Sequence, residues 1–309
     1  MRIVFAGTTD NAVEVLRYLV EQSNHEVVAV LTRVDARIGR KQQISPSPVA
    51  KYATSVSLPI IRANVVDESI DKEIAEFDAD LGIVVAYGSL LKPRTLLIPK
   101  NGWINLHYSL LPRLRGAAPV QRALIEGLRE TGVSIFQLDE GMDTGPIHAQ
   151  VQTIIEPNET AGELLSRLTK LSITMLDECL AKISSGFASP QPQQGEPTFA
   201  TKLSRAQARI NLNESAEHIE NLIRGCNPEP MAWVDFRGEP LRIIIGIAAN
   251  RVGSDSVAAE VGEVVQIDGG IYVQTGKGLL KIIEIQPASK RVMLAEDWLR
   301  GINSEVVLS

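Results

Sequence analysis

The sequence predicts an α/β fold, a doubly wound and mostly parallel sheet, followed by a small β-barrel. Three observations predict it: strands alternating with amphipathic helices over the first 185 or so residues, a stretch rich in Pro, Gln and Ser after them, and then short β runs separated by glycine turns. The length of 309 residues also exceeds a usual single domain of roughly 100–200 residues, so two domains are expected.

In order, Arg2–Ala6 and Glu26–Leu31 read as strands, with a helix over Asn11–Gln22 between them. Helical patterns follow at Asn64–Phe77, Ala117–Gly127 and Thr160–Ser184, with strands at Asp80–Ala86, Gly102–His107 and Val133–Leu138. Such alternation builds βαβ units, whose strands are covered on both faces and therefore read as continuous apolar runs. Phe187 to Lys202 then carries Ser189-Pro190-Gln191-Pro192-Gln193-Gln194-Gly195-Glu196-Pro197, the composition of an extended linker. Beyond it come a helix over Glu214–Cys226 and β runs at Met231–Phe236, Leu241–Ile247, Glu263–Ile267, Ile271–Thr275 and Leu280–Ile285. The expected division is a first domain at 1–186, a linker at 187–203 and a barrel domain at 204–309.

Composition excludes several classes. No run approaches the roughly 18 apolar residues that span a bilayer, and Met1-Arg2-Ile3-Val4-Phe5 enters a strand without a signal-like leader. Cys179 and Cys226 lack metal-ligand spacing and read as core thiols of a reducing compartment, so a cytoplasmic protein is expected. With no zinc-like cluster, no metal is expected. Gly7-Thr8-Thr9-Asp10 lacks the glycine spacing of a dinucleotide site. The net charge of −6 does not advertise a nucleic-acid binder, nor does a net −3 from Arg205 onward, where eleven Lys/Arg face fourteen Asp/Glu. Clustering of Arg237, Arg242, Lys277, Lys281, Lys290 and Arg291 could still supply a basic patch.

Two segments carry chemistry. In Ile104-Asn105-Leu106-His107, strand alternation turns Asn105 and His107 to one side, near the strand's C-terminal end where parallel sheets bind ligands. Asp139-Glu140-Gly141-Met142-Asp143-Thr144-Gly145 is an acidic, glycine-rich loop after the next strand. Taken singly, each also fits a structural role: a strand-end His and Asn satisfying loop carbonyls, and a turn or cap aspartate. Together they suit acyl transfer to an amine. Asn polarises the carbonyl, His⁺ donates to the oxyanion, and a carboxylate holds the His charged and accepts the amine's proton. There is no serine elbow or reactive-looking thiol, and an attacking amine needs neither.

Asn-x-His-x-Ser-Leu-Leu-Pro-x-x-Arg-Gly from Asn105, followed by Asp-x-Gly-x-Asp-Thr-Gly from Asp139, resembles the 10-formyltetrahydrofolate-dependent formyltransferases. Arg115-Gly116-Ala117-Ala118-Pro119-Val120-Gln121-Arg122-Ala123 is most similar to the members whose acceptor is methionyl initiator tRNA. Phe5-Ala6-Gly7-Thr8, Ser45-Pro46-Ser47-Pro48-Val49 and Pro230-Met231-Ala232-Trp233 extend the resemblance over nearly the whole chain. It implies a Rossmann-like formyltransferase domain, an OB-like second domain in contact with tRNA, and a monomer that transfers formyl from 10-formyltetrahydrofolate to the amino group of methionyl initiator tRNA. The catalytic residues it implies are Asn105, His107 and Asp143, with the folate held by Ser109, Leu110, Leu111 and Pro112 and by Tyr87 and Gly88. The basic loop Arg33–Lys41 would reach the tRNA through Arg37, Arg40 and Lys41. The chain departs from the family pattern at Thr9, Asn11, Tyr108 and Glu229, and Tyr108, beside His107, has room to crowd the site. The resemblance leaves two alternatives, a formyltransferase acting on a small amine and a formylfolate hydrolase; a catalytically silent tRNA- or folate-binding module is a third.

Overall fold

A computed structural model of the chain describes residues 1–38, 42–249, 259–302 and 304–309. The elements are β1 (Arg2–Gly7), α1 (Asp10–Glu21), β2 (Glu26–Thr32), β3 (Ala36–Ile38), β4 (Gln43–Ser45), α2 (Pro48–Ser55), β5 (Ile60–Arg62), α3 (Glu68–Ala75), β6 (Leu81–Val85), α4 (Pro93–Leu96), β7 (Trp103–His107), α5 (Pro119–Ile125), β8 (Glu130–Gln137), β9 (Ile147–Ile154) and α6 (Ala161–Ser184). They continue as α7 (Ala216–Cys226), β10 (Trp233–Phe236), β11 (Glu239–Ala249), β12 (Val264–Ile267), β13 (Gly270–Gln274), β14 (Leu279–Gln286), β15 (Met293–Leu294) and α8 (Ala295–Arg300). None of the described helices is long and apolar enough to cross a membrane.

Two compact units result: residues 1–119, 130–154 and 165–200 form the first, and 120–129, 155–164 and 201–309 the second. The first holds a seven-stranded sheet in the order β5-β2-β1-β6-β7-β8-β9. Its strands are parallel from β5 to β7, while β8 and β9 run antiparallel at one edge. Ile3, Val4, Phe5 and Ala6 of β1 are all fully buried, as a strand covered on both faces must be. Strand order reverses between β1 and β6, the place where such sheets open a crevice at their C-terminal ends. Thr8, after β1, donates its hydroxyl to the Tyr87 carbonyl after β6 at 2.9 Å and ties the two loops that border the crevice.

Local chemistry explains where the elements start. Ala12, Val15, Leu16 and Leu19 bury one face of α1 at helical spacing. The helix expected over Asn64–Phe77 begins only at Glu68, because Asp67 caps it, accepting from the amides of Ser69 and Ile70, while Asn64 bonds Arg33 and Ser89. Ser47 caps α2 by accepting from the Ala50 amide, with Pro48 opening the helix; this helix, like β5 and the β3–β4 pair, had not been expected.

In the second unit the strands run β10-β11-β14-β13-β12 with β15 on β14, an antiparallel curled half-barrel. α7 buries Ile219, Leu222 and Ile223, and the unit's core cluster also holds Val234, Ile243 and Ile285. Residues 120–129 and 155–164, which the sequence reading left with the first domain, join this unit. Gly162 donates its amide to the Asn227 carbonyl at 3.1 Å, and a Cβ on Gly225 would lie 2.5 Å from Ile125 Cγ1. Cys179 and Cys226 are buried, and burial pushes their thiols up to about 12 and about 11.

Candidate active site

His107 closes β7 and is only 5% exposed. Its Nε2 donates to the Leu114 carbonyl at 2.9 Å, and its Nδ1 lies 3.7 Å from Asp143 Oδ2. Asp143 is itself largely buried, its side chain 14% exposed, and Oδ2 accepts the Gly116 amide at 2.7 Å. Gly116 has a φ of +116°, and a Cβ there would sit 2.8 Å from the Ala200 carbonyl, so only glycine presents its amide to the carboxylate in this way. Asn105, two residues before His107 on the same strand face, makes no side-chain hydrogen bond among the described residues and is half-buried. The structure thus brings together a free amide, a buried imidazole and a buried carboxylate.

The aspartate loop shows why its motif has that spacing. Asp139 accepts from the Thr144 hydroxyl at 2.6 Å and from the Gly141 amide at 3.1 Å, closing the loop on itself. A Cβ on Gly145 would overlap the Gln137 carbonyl at 1.8 Å. The closed loop carries Asp143 in the left-handed region, with φ of +55°, and aims its side chain inward.

Burial and the neighbouring carboxylate act on the His107 proton in opposite directions. Burial pulls the His107 pKa below the ordinary imidazole value, and Asp143 and the Leu114 carbonyl oppose that pull without overcoming it. A neutral imidazole here keeps its proton on Nε2, which faces the carbonyl, and its lone pair on Nδ1.

The residues expected to hold folate fall at the ends of adjacent strands, but most of their side chains are engaged. The Ser109 hydroxyl donates to the Arg113 carbonyl at 2.6 Å, and Leu111 and Pro112 are buried around a cis peptide. Leu110 is half-buried and packs against Gly132 of β8. Tyr87 is fully buried, its hydroxyl donates to the Ala63 carbonyl at 2.7 Å, and burial raises that hydroxyl to about 12. Gly88 beside it is exposed. What these segments offer a ligand is chiefly backbone. The Tyr108 hydroxyl accepts from Asn11 Nδ2 at 3.0 Å and lies 3.3 Å from Thr169 Oγ1. Thr9 in turn bonds the Asn11 side chain, so three of the departures from the family pattern form one chain of contacts.

Of the basic-loop residues, Arg37 is exposed on β3 opposite Ile44 and has no acidic partner among the described residues; Arg40 and Lys41 lie outside the described residues. In the second unit a row of side chains crosses the sheet. Arg209 bridges to Trp233, Trp233 pairs with Arg242, and Arg242 pairs with Gln286. Residues in register share a face. The guanidiniums of Arg205 and Arg209 sit 5.5 and 5.6 Å from the Trp233 ring centroid. Arg205, Arg209 and Arg242 are exposed, and none has an acidic partner among the described residues. The sequence reading had named only Arg242; the Arg-x-x-x-Arg spacing of 205 and 209 was the available signal for the others.

Residues 1–180 match the family model described as formyl transferase, and residues 202–303 that described as formyl transferase, C-terminal domain. A methionyl-tRNA formyltransferase of Leifsonia xyli subsp. xyli is 44% identical over 312 residues, covering 100% of both chains. That of Cutibacterium acnes is 41% identical over 97% of each. Among solved structures, a methionyl-tRNA formyltransferase from Clostridium thermocellum superposes with a TM-score of 0.57 at 18% identity, over 92% of this chain and 99% of its own. A sugar 3N-formyl transferase reaches 0.68 at 20% identity, over 94% of this chain and 99% of its own. At those identities the structures speak for the fold, while the matched models and full-length relatives speak for descent: the chain belongs to the formyltransferase family, among the methionyl-tRNA formyltransferases.

Proposed function

We propose that this protein transfers the formyl group of 10-formyltetrahydrofolate to the amino group of methionyl initiator tRNA in the cytoplasm, with Asn105, His107 and Asp143 as its catalytic residues. The observation that carries the reading is the buried His107, fixed by the Leu114 carbonyl with Nδ1 toward Asp143 and on the same strand face as Asn105, whose amide no described residue engages. The formylfolate supplies an activated formyl carbon, and the substrate amine is the nucleophile. His107 takes the amine's proton at Nδ1 as the new C–N bond forms and returns it to the departing carrier nitrogen as the old one breaks. Asp143 stabilises the imidazolium during that interval, when charge on His107 would otherwise be buried alone. Asn105 donates to the formyl oxygen as it gains negative charge, the contact expected to strengthen most in the transition state.

The reading takes the protein as a monomer. Backbone at Gly88 and at 109–112 is the surface we assign to the folate. Arg37, with Arg40 and Lys41 of the same loop, and the Arg205–Arg209–Trp233–Arg242 face are assigned to tRNA, by charge neutralisation and by stacking.

Formyl transfer is measured from 10-formyltetrahydrofolate to initiator methionyl-tRNA, uncharged tRNA and a panel of small amines in parallel. Product on methionyl-tRNA alone is expected. Preferential transfer to a small amine, or folate turnover without an acceptor, would overturn the acceptor assignment.

A further inference from the structure

The stretch from 187 to 203 reads in the sequence as a linker, yet Gln191, Gln193, Thr198 and Ala200 bond it to β9 and to the loops that hold the site. Gln191 exchanges two backbone hydrogen bonds with Ile147, at 2.7 and 2.8 Å. The Thr198 carbonyl accepts the Arg115 amide at 2.8 Å, and the Ala200 amide donates to the Arg115 carbonyl at 2.7 Å. Thr198 Oγ1 accepts the amide of Leu114, the residue whose carbonyl holds His107. The prolines keep this strap extended, and the backbone bonds fasten it down.

One side chain on the strap does more than fasten it. From Gln191 to Phe199 every residue is exposed except Gln193. Its Nε2 donates both hydrogens, to the carbonyls of Asp143 at 2.8 Å and Gly145 at 2.9 Å, and its Oε1 accepts from Arg115 Nη2 at 2.6 Å. The arginine identifies the oxygen end of the amide and the two carbonyls identify the nitrogen end. Gln193 therefore grips the aspartate loop at the residue whose backbone is in the left-handed region and whose carboxylate faces His107. The Asp139–Thr144 contact closes the same loop from the other side.

We propose that Gln193, oriented by Arg115, is a positioning residue for Asp143, setting the carboxylate against His107 from a segment outside the catalytic strands. This rests on the reading of Asp143 as a catalytic residue. If the grip is lost, the loop keeps its own closure but the carboxylate loses its fixed distance to the imidazole. Misplacement on that scale slows the chemical step with little effect on binding.

The test uses the full chain, with Gln193→Met, Gln193→Glu and Asp143→Asn compared for kcat, for KM of both substrates, for the pH–rate profile and for thermal melting. Gln193→Met removes both donors at similar size. Gln193→Glu keeps the partner of Arg115 but faces two carbonyls with an acceptor. Both Gln193 variants are expected to lose about tenfold or more in kcat, with KM changed less than about twofold. The acid limb should move to lower pH in both, because the carboxylate that raises the His107 pKa has moved away. Wild-type kcat and acid limb in Gln193→Met overturn the proposal, whatever its melting temperature. Near-normal activity of Gln193→Glu overturns it too, since the Arg115 pairing alone would then suffice. Unchanged turnover in Asp143→Asn overturns instead the catalytic reading on which it stands.

Discussion

The first unit's site and the second unit's basic row use polar side chains in opposite ways. Around His107 nearly every polar group is committed: Asp143 to Gly116, Gln193 to the aspartate loop, and the imidazole to Leu114. Around Trp233 the guanidiniums of Arg205 and Arg209 lie over the ring and meet no acid among the described residues. Catalysis gains from groups that need not rearrange when charge develops, so their partners are built in. A phosphate-binding face gains from cations that no internal acid has already neutralised. The contrast shows how a chain with net charge −6 can still present a cationic surface: the arrangement of charge decides, not its total.

The comparison breaks first at the site. Asn105→Ala removes an amide that no described residue engages and is expected to lower kcat by about 10²–10³ with tRNA affinity retained, as steady-state kinetics and a separate binding assay will show. Asp143→Asn should follow at about 10², by loss of the imidazolium's partner. Comparable losses in tRNA affinity for either variant would show that the two regions do not divide the work in this way.

Arg209→Ala and Arg242→Ala sharpen the other side. Each should raise KM for methionyl-tRNA several-fold, leave kcat alone and reduce the slope of log affinity against log salt by about 1. Binding measured at two or three salt concentrations checks it; an unchanged slope would remove the phosphate assignment.

Stability against pH gives a smaller effect. Burial holds His107, His148 and His25 below the ordinary imidazole pKa. The unfolded chain therefore binds more protons than the folded one as pH drops through 6.5 and below. Stability is fully present above that window and falls within it, so the urea midpoint should be lower at pH 5.5 than at pH 7.5. The acid limb of kcat should lie below 6.5, because protonation removes the lone pair that His107 needs.

The smallest effect is expected from Tyr108→Phe. Removing the hydroxyl costs about 1 kcal/mol through the contacts with Asn11 and Thr169. Since the hydroxyl is engaged by Asn11 and Thr169, turnover should stay within about twofold; a melting curve and one kinetic assay measure both.

Much of the fold was legible because buried parallel strands leave continuous apolar runs, as at Ile3–Ala6, and because α1 repeats its apolar residues at helical spacing. Short elements held by single caps were harder. The Ser47-Pro48 start of α2 is a recognisable signal, but β5 has only three residues and its identity comes from pairing with β2. At the site, alternation along β7 was enough to place Asn105 and His107 together, whereas Asp143 was singled out within its doubly acidic loop only by the family resemblance. Hidden from any local reading were the contacts that close the site over long separations. Gln193 lies 50 residues from Asp143, in a stretch whose composition says linker, and Tyr108 meets Asn11 across 97 residues. Composition reports what a segment cannot bury; it does not report what the segment is bonded to.

The most direct measurement is single-turnover formyl transfer to initiator methionyl-tRNA by His107→Ala at saturating enzyme and folate, beside its tRNA affinity. A loss of about 10³ in the transfer rate with wild-type tRNA binding is the expected result. A transfer rate within a few-fold of the wild type would contradict the assignment of His107, and with it the chemistry derived from this site.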